Sequence, residues 1–311
     1  MQQQRYRTYS QFLNEHFSFR VQKLPVDAGF TCPNRDGTKG VGGCIYCNNQ
    51  SFNTSYCHPS LSVREQLERG KQFFAGKYPG MKYLAYFQAH TGTHASLDRL
   101  KSLYEEAAAV SDVVGIVIAT RPDCVQEELL QYLHALQRRC FVMIEYGVET
   151  LCDSTLSAIN RCHDAAASVA AIRLTAQYGI PQCAHLILGL PGESRGDMLS
   201  TVDAISALPV DVVKFHQLQV IRGTMLERKI SAGEMPGFRC FTLEEYLDLC
   251  AEVIERISPS IAIERFVSES PSALLVMPKW GVKPDKFKAM LHEILAQRKI
   301  FQGKMQKNGK T

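Results

Sequence analysis

The chain has 311 residues, of which 45% are hydrophobic and 21% charged, and its formal net charge is +4. These values exclude a collagen-like or charge-rich disordered chain, and no apolar run approaches the roughly 20 residues that span a bilayer, so no membrane partner is expected. The N-terminus, M-Q-Q-Q-R-Y-R-T-Y, is polar and carries no secretory signal. Eleven cysteines without such a signal point to a reducing cytoplasm, where stable disulfides do not persist.

In chain order, a short helix is expected up to Phe19 and a first strand within Val21 to Phe30. Ser62-x-x-Glu65 is a capping box that opens a helix to about Lys77. The aromatic run Lys82 to Phe87 reads as a strand, followed by a polar loop and a helix from Ser96 to Val110. Val113 to Ala119, Phe141 to Tyr146, Cys183 to Leu188 and Asp211 to His216 are further strands. Helices are expected between them at Val125 to Arg138, Ala165 to Tyr178 and Asp197 to Ala207. Continuous apolar strands alternating with helices describe a parallel sheet buried on both faces. Right-handed crossovers wind six βα units into a barrel or part of one. The fold class is therefore α/β, a partial (β/α)6 TIM-like barrel with a C-terminal helical extension.

The barrel is expected over residues 1–235 and the extension, packed on it, over 236–311. In the extension, Thr242-x-x-Glu245 caps a helix to about Ile257, Ile261 to Phe266 suits a short strand, and Pro284 opens a last helix ending near Gln297. The basic residues Arg298, Lys299, Lys304, Lys307 and Lys310 read as a solvated, frayed terminus; the sharper reading is a phosphate-contacting tail.

One stretch departs from this pattern. Thr31 to Asn49 (T-C-P-N-R-D-G-T-K-G-V-G-G-C-I-Y-C-N-N) puts Cys32, Cys44 and Cys47 in a polar, glycine-rich loop. Such loops do not build cores, so burial does not explain the thiols. Three readings stand: plain thiols, a zinc site with Cys57 or His58 as fourth ligand, or an iron–sulfur cluster on three thiolates.

In barrels of this kind, chemistry sits at the C-terminal ends of the strands. Gln88 and Thr91 follow the second strand, and Arg121 the third. Gly189, Gly192 and Glu193 follow the fifth; Lys214 and His216 close the sixth. Glu145 interrupts an apolar strand, so it either bridges to Arg161 or binds a ligand hydroxyl. Arg121 caps a helix or grips a carboxylate. G-L-P-G-E is a tight turn or a close approach of backbone to an adenine or ribose. Lys214 and His216 share the strand face opposite Phe215, which makes them candidate catalytic residues. Cys162 and His163 resemble a metal pair, but a lone C-H reads as structural or substrate-facing. Cys124, Cys140, Cys152, Cys183, Cys240 and Cys250 read as small buried hydrophobes.

Taken together, G-F-T-C-P-N-R-D-G-T-K-G-V-G-G-C-I-Y-C-N, L-A-Y-F-Q-A-H-T-G-T, A-T-R-P-D-C-V, I-E-Y-G-V-E-T, H-L-I-L-G-L-P-G-E and V-K-F-H-Q-L-Q-V resemble the radical S-adenosylmethionine (SAM) superfamily. More narrowly, they resemble its YhcC/YtqA-type subfamily, which is itself similar to the radical domain of the elongator catalytic subunit. The resemblance runs from about Val21 to Lys283. The wide spacing of the first two cysteines departs from the superfamily's commoner C-x-x-x-C-x-x-C, and Cys162 stands where the subfamily often has glycine.

The resemblance implies a [4Fe–4S] cluster on Cys32, Cys44 and Cys47, S-adenosyl-L-methionine as cofactor, and a 5′-deoxyadenosyl radical that abstracts hydrogen. It places Gln88 and Thr91 at the methionine amino group, Arg161 at the carboxylate, Glu145 at the ribose, and Gly189 to Glu193 near adenine. It implies a reductant such as flavodoxin or ferredoxin, and a tRNA substrate modified at a wobble uridine side chain, with Lys283, Lys286, Lys288 and the basic tail on phosphates. A radical enzyme acting on a small metabolite or peptide and a zinc-stabilised RNA-binding module are the alternatives.

Overall fold

The computed structural model describes residues 4–49, 54–76, 78 and 80–307. Its frame is a parallel sheet of seven strands in the order β1-β2-β3-β4-β5-β6-β8. The first six are β1 (Val21–Val26), β2 (Lys82–Phe87), β3 (Val113–Thr120), β4 (Phe141–Glu149), β5 (Gln182–Leu188) and β6 (Val212–Gln217). The helices α2 (Val63–Phe74), α3 (Leu97–Ala108), α4 (Glu127–Leu136), α6 (Ala165–Gln177) and α7 (Arg195–Ser206) stand between successive strands. Before β1 comes α1 (Tyr9–His16), and after β4 a short α5 (Asp153–Ala158). The capping box at Ser62 forms as the sequence dictates, Ser62 Oγ accepting from the Glu65 N–H and Glu65 accepting from the Ser62 N–H.

Period-2 alternation sorts each strand between two environments. Leu24, Phe87, Ile118, Ile144, Leu186 and Phe215 point outward into the core shared with the helices. Leu84, Val117, Met143, Cys183, Val212 and Ala262 point inward and form a second apolar cluster, plugged by Phe12 of α1. One step further along five of the strands the inward positions turn polar, at Lys23, Tyr86, Glu145, His185 and Lys214, while β3 keeps Ala119 there. The apolar plug closes one end of the half-barrel, and the polar positions floor a cavity at the other.

The sheet does not close through its backbone. Its last strand, β8 (Ala262–Ile263), pairs with β6 at the far edge from β1. The seam is crossed instead by side chains: Lys23 of β1 reaches Glu264, the residue after β8, at 2.8 Å. α1 is held over the same seam by a bridge between Thr8 and Ile263.

Beyond β6 the chain forms β7 (Val220–Ile221), α8 (Met225–Ser231), α9 (Leu243–Arg256), β8, β9 (Leu275–Met277), α10 (Pro284–Gln297) and α11 (Lys304–Lys307). α9 and α10 add Tyr246, Leu249, Val253, Leu291 and Leu295 to the outer core. The antiparallel pair β7 and β9 was not expected, nor were α5 and α8. β4 runs to Glu149, past its expected end, and its pairing with β5 shifts register between Gly147 and Glu149, where Glu149 has φ +68°.

The frayed terminus needs correction up to residue 307. Ile300 and Gln302 are buried, and Gln302 Nε2 donates to the carbonyls of Ser258 and Ile261, both at 2.7 Å. Arg298 is paired with Asp248, and Lys304 with Glu255. Lys310 lies outside the described residues. Of the scattered cysteines only Cys183 and Cys250 are buried. Cys124, Cys140, Cys152 and Cys240 lie outside the strands and α-helices and are half-buried, so the expectation of six buried cysteines fails for four.

Candidate active site

A cavity of about 480 Å³ opens at the C-terminal ends of the strands, within the range of small-molecule sites. Cys32, Cys44 and Cys47 line one end of it. The loop is held by its own backbone: the N–H groups of Arg35 and Asp36 donate to the Cys32 carbonyl, and that of Cys47 to the Cys44 carbonyl. Gly42 and Gly43 take φ of +81° and +78°, a turn that a side chain would resist. Donors surround the thiols. Arg161 Nη1 lies 3.6 Å and Asn34 Nδ2 3.7 Å from Cys44 Sγ, and Arg35 Nη2 donates to the Cys47 carbonyl at 2.9 Å. Burial and the neighbouring Cys44 push the Cys47 thiol up, while Arg35 pulls it down.

At the other end the floor is a square of alternating charge. Lys23 contacts Glu145 at 2.5 Å and Glu264 at 2.8 Å; Lys214 contacts the same two at 3.2 and 3.1 Å. Glu145 also accepts from Tyr86 at 2.7 Å and from His185 at 2.8 Å. Burial raises its pKa, but Lys214 and Lys23 outweigh burial and hold it well below the usual carboxylate range. Above the square, His216 faces Arg265, whose Nη2 lies 3.2 Å from His216 Nδ1. Burial, then the Arg265 charge, keeps His216 neutral, well below the usual imidazole value.

Gln88, Thr91, Arg121, Glu145, Arg161, Lys214 and His216 all line this cavity with the three thiols. Gly189, Gly192 and Glu193 do not. Glu193 turns away to Thr150, and Gly189, at φ +94°, lies against the Phe241 ring. Glu145 does not bridge to Arg161, which instead faces Glu149 at 3.4 Å and donates to His163 Nε2 at 3.0 Å. Arg121 chelates Asp123 and donates to the Arg161 carbonyl. Arg35, Tyr86, His185 and Arg265 also line the cavity and were not expected there from the sequence. Tyr86 and His185 were findable as the inward polar step of their strands, whereas Arg265 follows a strand of two residues.

Zinc on the thiol loop does not fit. A zinc ion held at about 2.3 Å by tetrahedral thiolates requires sulfurs less than about 4 Å apart. Among the described residues, the group of three donors drawn within 4.8 Å of one another is Glu145, Cys183 and His185, not the thiols. Cys57 is engaged by Thr54 and the Pro25 carbonyl, and His58 by Ser60, so neither supplies a fourth ligand. Cys162 is exposed at φ +60°, a conformation that glycine adopts freely.

The fold and this site define a member of the radical SAM superfamily. Residues 32–205 match the radical SAM superfamily and residues 210–297 the radical SAM C-terminal domain, so the chain belongs to that family. It is similar to YtqA of Bacillus subtilis, with 34% identity covering 97% of this chain and 93% of that protein. A tRNA uridine(34) acetyltransferase of Dehalococcoides mccartyi is 27% identical over 65% of this chain and 42% of its own length. Among solved structures, the archaeal Elp3 of Methanocaldococcus infernus shares the fold, with a TM-score of 0.69, 16% identity and 91% of this chain covered. This chain spans 64% of that Elp3 chain, less than two thirds.

Radical SAM enzymes use a [4Fe–4S] cluster and SAM. The residues present fit both. Thr91 Oγ1 and Arg121 Nη1 are buried without a partner in a cavity they line, which a polar ligand would satisfy. Gly147 lies so close to Arg161 and Glu149 that a Cβ would stand 2.8 Å from each.

Proposed function

We propose that this radical SAM enzyme acts on a tRNA wobble uridine, removing the carboxymethyl group from a carboxymethylaminomethyl side chain to leave aminomethyl: the carbon next to the amine loses a hydrogen atom and an electron, which reductive cleavage of SAM takes up, and water splits the resulting imine into the aminomethyl product and glyoxylate. What carries the reading is one cavity with three thiols at one end and a fixed polar floor at the other. The similarity to a tRNA uridine(34) acetyltransferase supports the choice of substrate. On this reading Cys32, Cys44 and Cys47 hold the cluster. Gln88, Thr91, Arg121 and Arg161 hold the methionine end of SAM, and Gly189, Gly192 and Glu193 act from behind the lining. When bound, cluster and SAM supply an electron and a 5′-deoxyadenosyl radical able to take hydrogen from an unreactive carbon.

The chain's own residues do the rest. The apolar plug and the polar square seal the cavity floor and exclude water. Four donors fill the roughly four acceptor sites of Glu145, so it fixes Lys214 and His185 in place, and a ribose hydroxyl would reach it by displacing one of them. Lys214 spends its ammonium hydrogens on Glu145, Glu264 and Tyr86. Neutral His216 is therefore the group free to move a proton beside the substrate. Exposed Lys283, Lys286 and Lys288 would meet phosphates, and a flavodoxin- or ferredoxin-type protein would deliver the electron.

The test is anaerobic reconstitution, then measurement of 5′-deoxyadenosine with and without bulk tRNA carrying the modified uridine. Stimulation by tRNA and loss of the carboxymethyl group are expected. Turnover indifferent to tRNA would reject this substrate in favour of a small metabolite or peptide.

A further inference from the structure

Among the described residues, the arginines and lysines that line the cavity are matched to anions with one exception. Arg121 has Asp123, Arg161 has Glu149, and Lys214 has Glu145 and Glu264. Arg35 faces the thiols. Arg265 makes no ion pair among the described residues, and its Nε is buried without a hydrogen-bond partner. Among the described residues its side-chain hydrogen-bond partner is the neutral ring of His216, which brings no charge. An arginine half-buried in a cavity with no counterion is costly unless a ligand supplies one.

The position of Arg265 is fixed by backbone. Its carbonyl accepts from the Phe215 N–H at 2.9 Å, and the N–H of the preceding Glu264 donates to the Val213 carbonyl at 2.9 Å, so the guanidinium is registered to β6 beside His216. The adjoining rim is tied down as well. Gln217 Oε1 accepts from the Ser268 N–H at 2.8 Å, and Gln217 and Gln219 both donate to the Ser268 carbonyl. These rim groups satisfy one another and leave the guanidinium as the cation on offer at this end.

We infer that Arg265, beside His216, is the subsite that recognises a carboxylate on the substrate. It is a specificity-determining residue that seats the group next to the carbon losing hydrogen. The planar guanidinium fork matches a carboxylate by two parallel hydrogen bonds. The inference rests on the proposed uridine substrate, whose carboxymethylaminomethyl side chain ends in such a group.

The experiment compares wild type, Arg265→Gln and Arg265→Lys, reconstituted anaerobically. Binding is measured by fluorescence anisotropy of two anticodon stem-loops, one with 5-carboxymethylaminomethyluridine and one with 5-aminomethyluridine. Wild type is expected to prefer the carboxylate-bearing loop by about ten- to a hundred-fold. Arg265→Gln should erase that ratio, and Arg265→Lys should keep part of it. A ratio unchanged in Arg265→Gln overturns the assignment, as does an equal loss for both loops. SAM affinity is measured in parallel, and a fall there larger than the fall for the modified loop overturns it by assigning the guanidinium to SAM. If wild type binds neither loop, the uridine reading fails. The subsite is then decided by thermal shift with acetate and with inorganic phosphate. Stabilisation of wild type by acetate that is absent in Arg265→Gln upholds a carboxylate site; a response to phosphate alone, or an identical response of both proteins, overturns it.

Discussion

Replacing Glu145 by glutamine tests whether the floor of the cavity is held by charge. Glu145 is fully buried and accepts from Lys23, Lys214, His185 and Tyr86 at 2.5, 3.2, 2.8 and 2.7 Å. Glutamine keeps the shape but leaves Lys23 and Lys214 sharing Glu264 alone, and it turns an amide N–H₂ toward groups that are themselves donors. Removing one partner of a buried ion pair costs about 3–5 kcal/mol. At about 2.1 cal/mol/K per residue, a 311-residue chain has an unfolding entropy near 0.65 kcal/mol/K, so Tm should fall by about 5–8 °C.

The pH dependence follows in sign. A carboxylate held below its usual value stabilises the fold above the unfolded pKa near about 4.3, and that contribution is lost as pH falls through the folded value. Glu145 and Glu264 are both lowered. Glu145→Gln removes one of the two, so stability below about pH 4 should fall less steeply than in wild type. Thermal unfolding by circular dichroism from pH 3 to 8 reads both effects. A variant within about 0.5 kcal/mol of wild type at pH 7, a typical surface-substitution effect, would refute the square as a structural element and return Glu145 to a purely ligand-facing role.

Single alanine replacements of Cys32, Cys44 and Cys47 should each abolish iron uptake and the associated visible absorbance on anaerobic reconstitution, while Cys57→Ala retains both; retention in any of the three removes that thiol from the ligand set. Cys162→Gly should leave iron content unchanged and shift stability by no more than about 1 kcal/mol, since relief at φ +60° is offset by the entropy of glycine. A loss of iron would make Cys162 a ligand. Tyr86→Phe deletes a hydrogen bond to a buried carboxylate and should cost about 1.5–3 kcal/mol in urea unfolding. No change there would mean that Glu145 is satisfied without the phenol.

The strands were legible because burial on both faces writes itself as an unbroken apolar run: Lys82–Phe87 is delimited residue for residue, and β3, β5 and β6 to within a residue at each end. The thiol loop was legible for the opposite reason, as cysteines where no core exists. The charge square was only half legible. Glu145 and Lys214 betray themselves inside apolar strands, but Lys23 meets Glu264 across 241 residues, and no local pattern encodes that pairing. G-L-P-G-E names its glycines through backbone conformation, which is real at φ +94° and +86°, yet says nothing of which way the loop faces. The basic tail misled because composition alone cannot show that Gln302 finds two buried carbonyls.

The seam makes the plug a long-range clasp. Arg7 donates its N–H to Gln302, a partner 295 residues away, and Ile263 donates to the Arg7 carbonyl. The stopper carried by α1 is therefore clasped by residues far along the chain, so disrupting Gln302 should loosen that end of the half-barrel and leave the thiol-lined mouth at the other end in place.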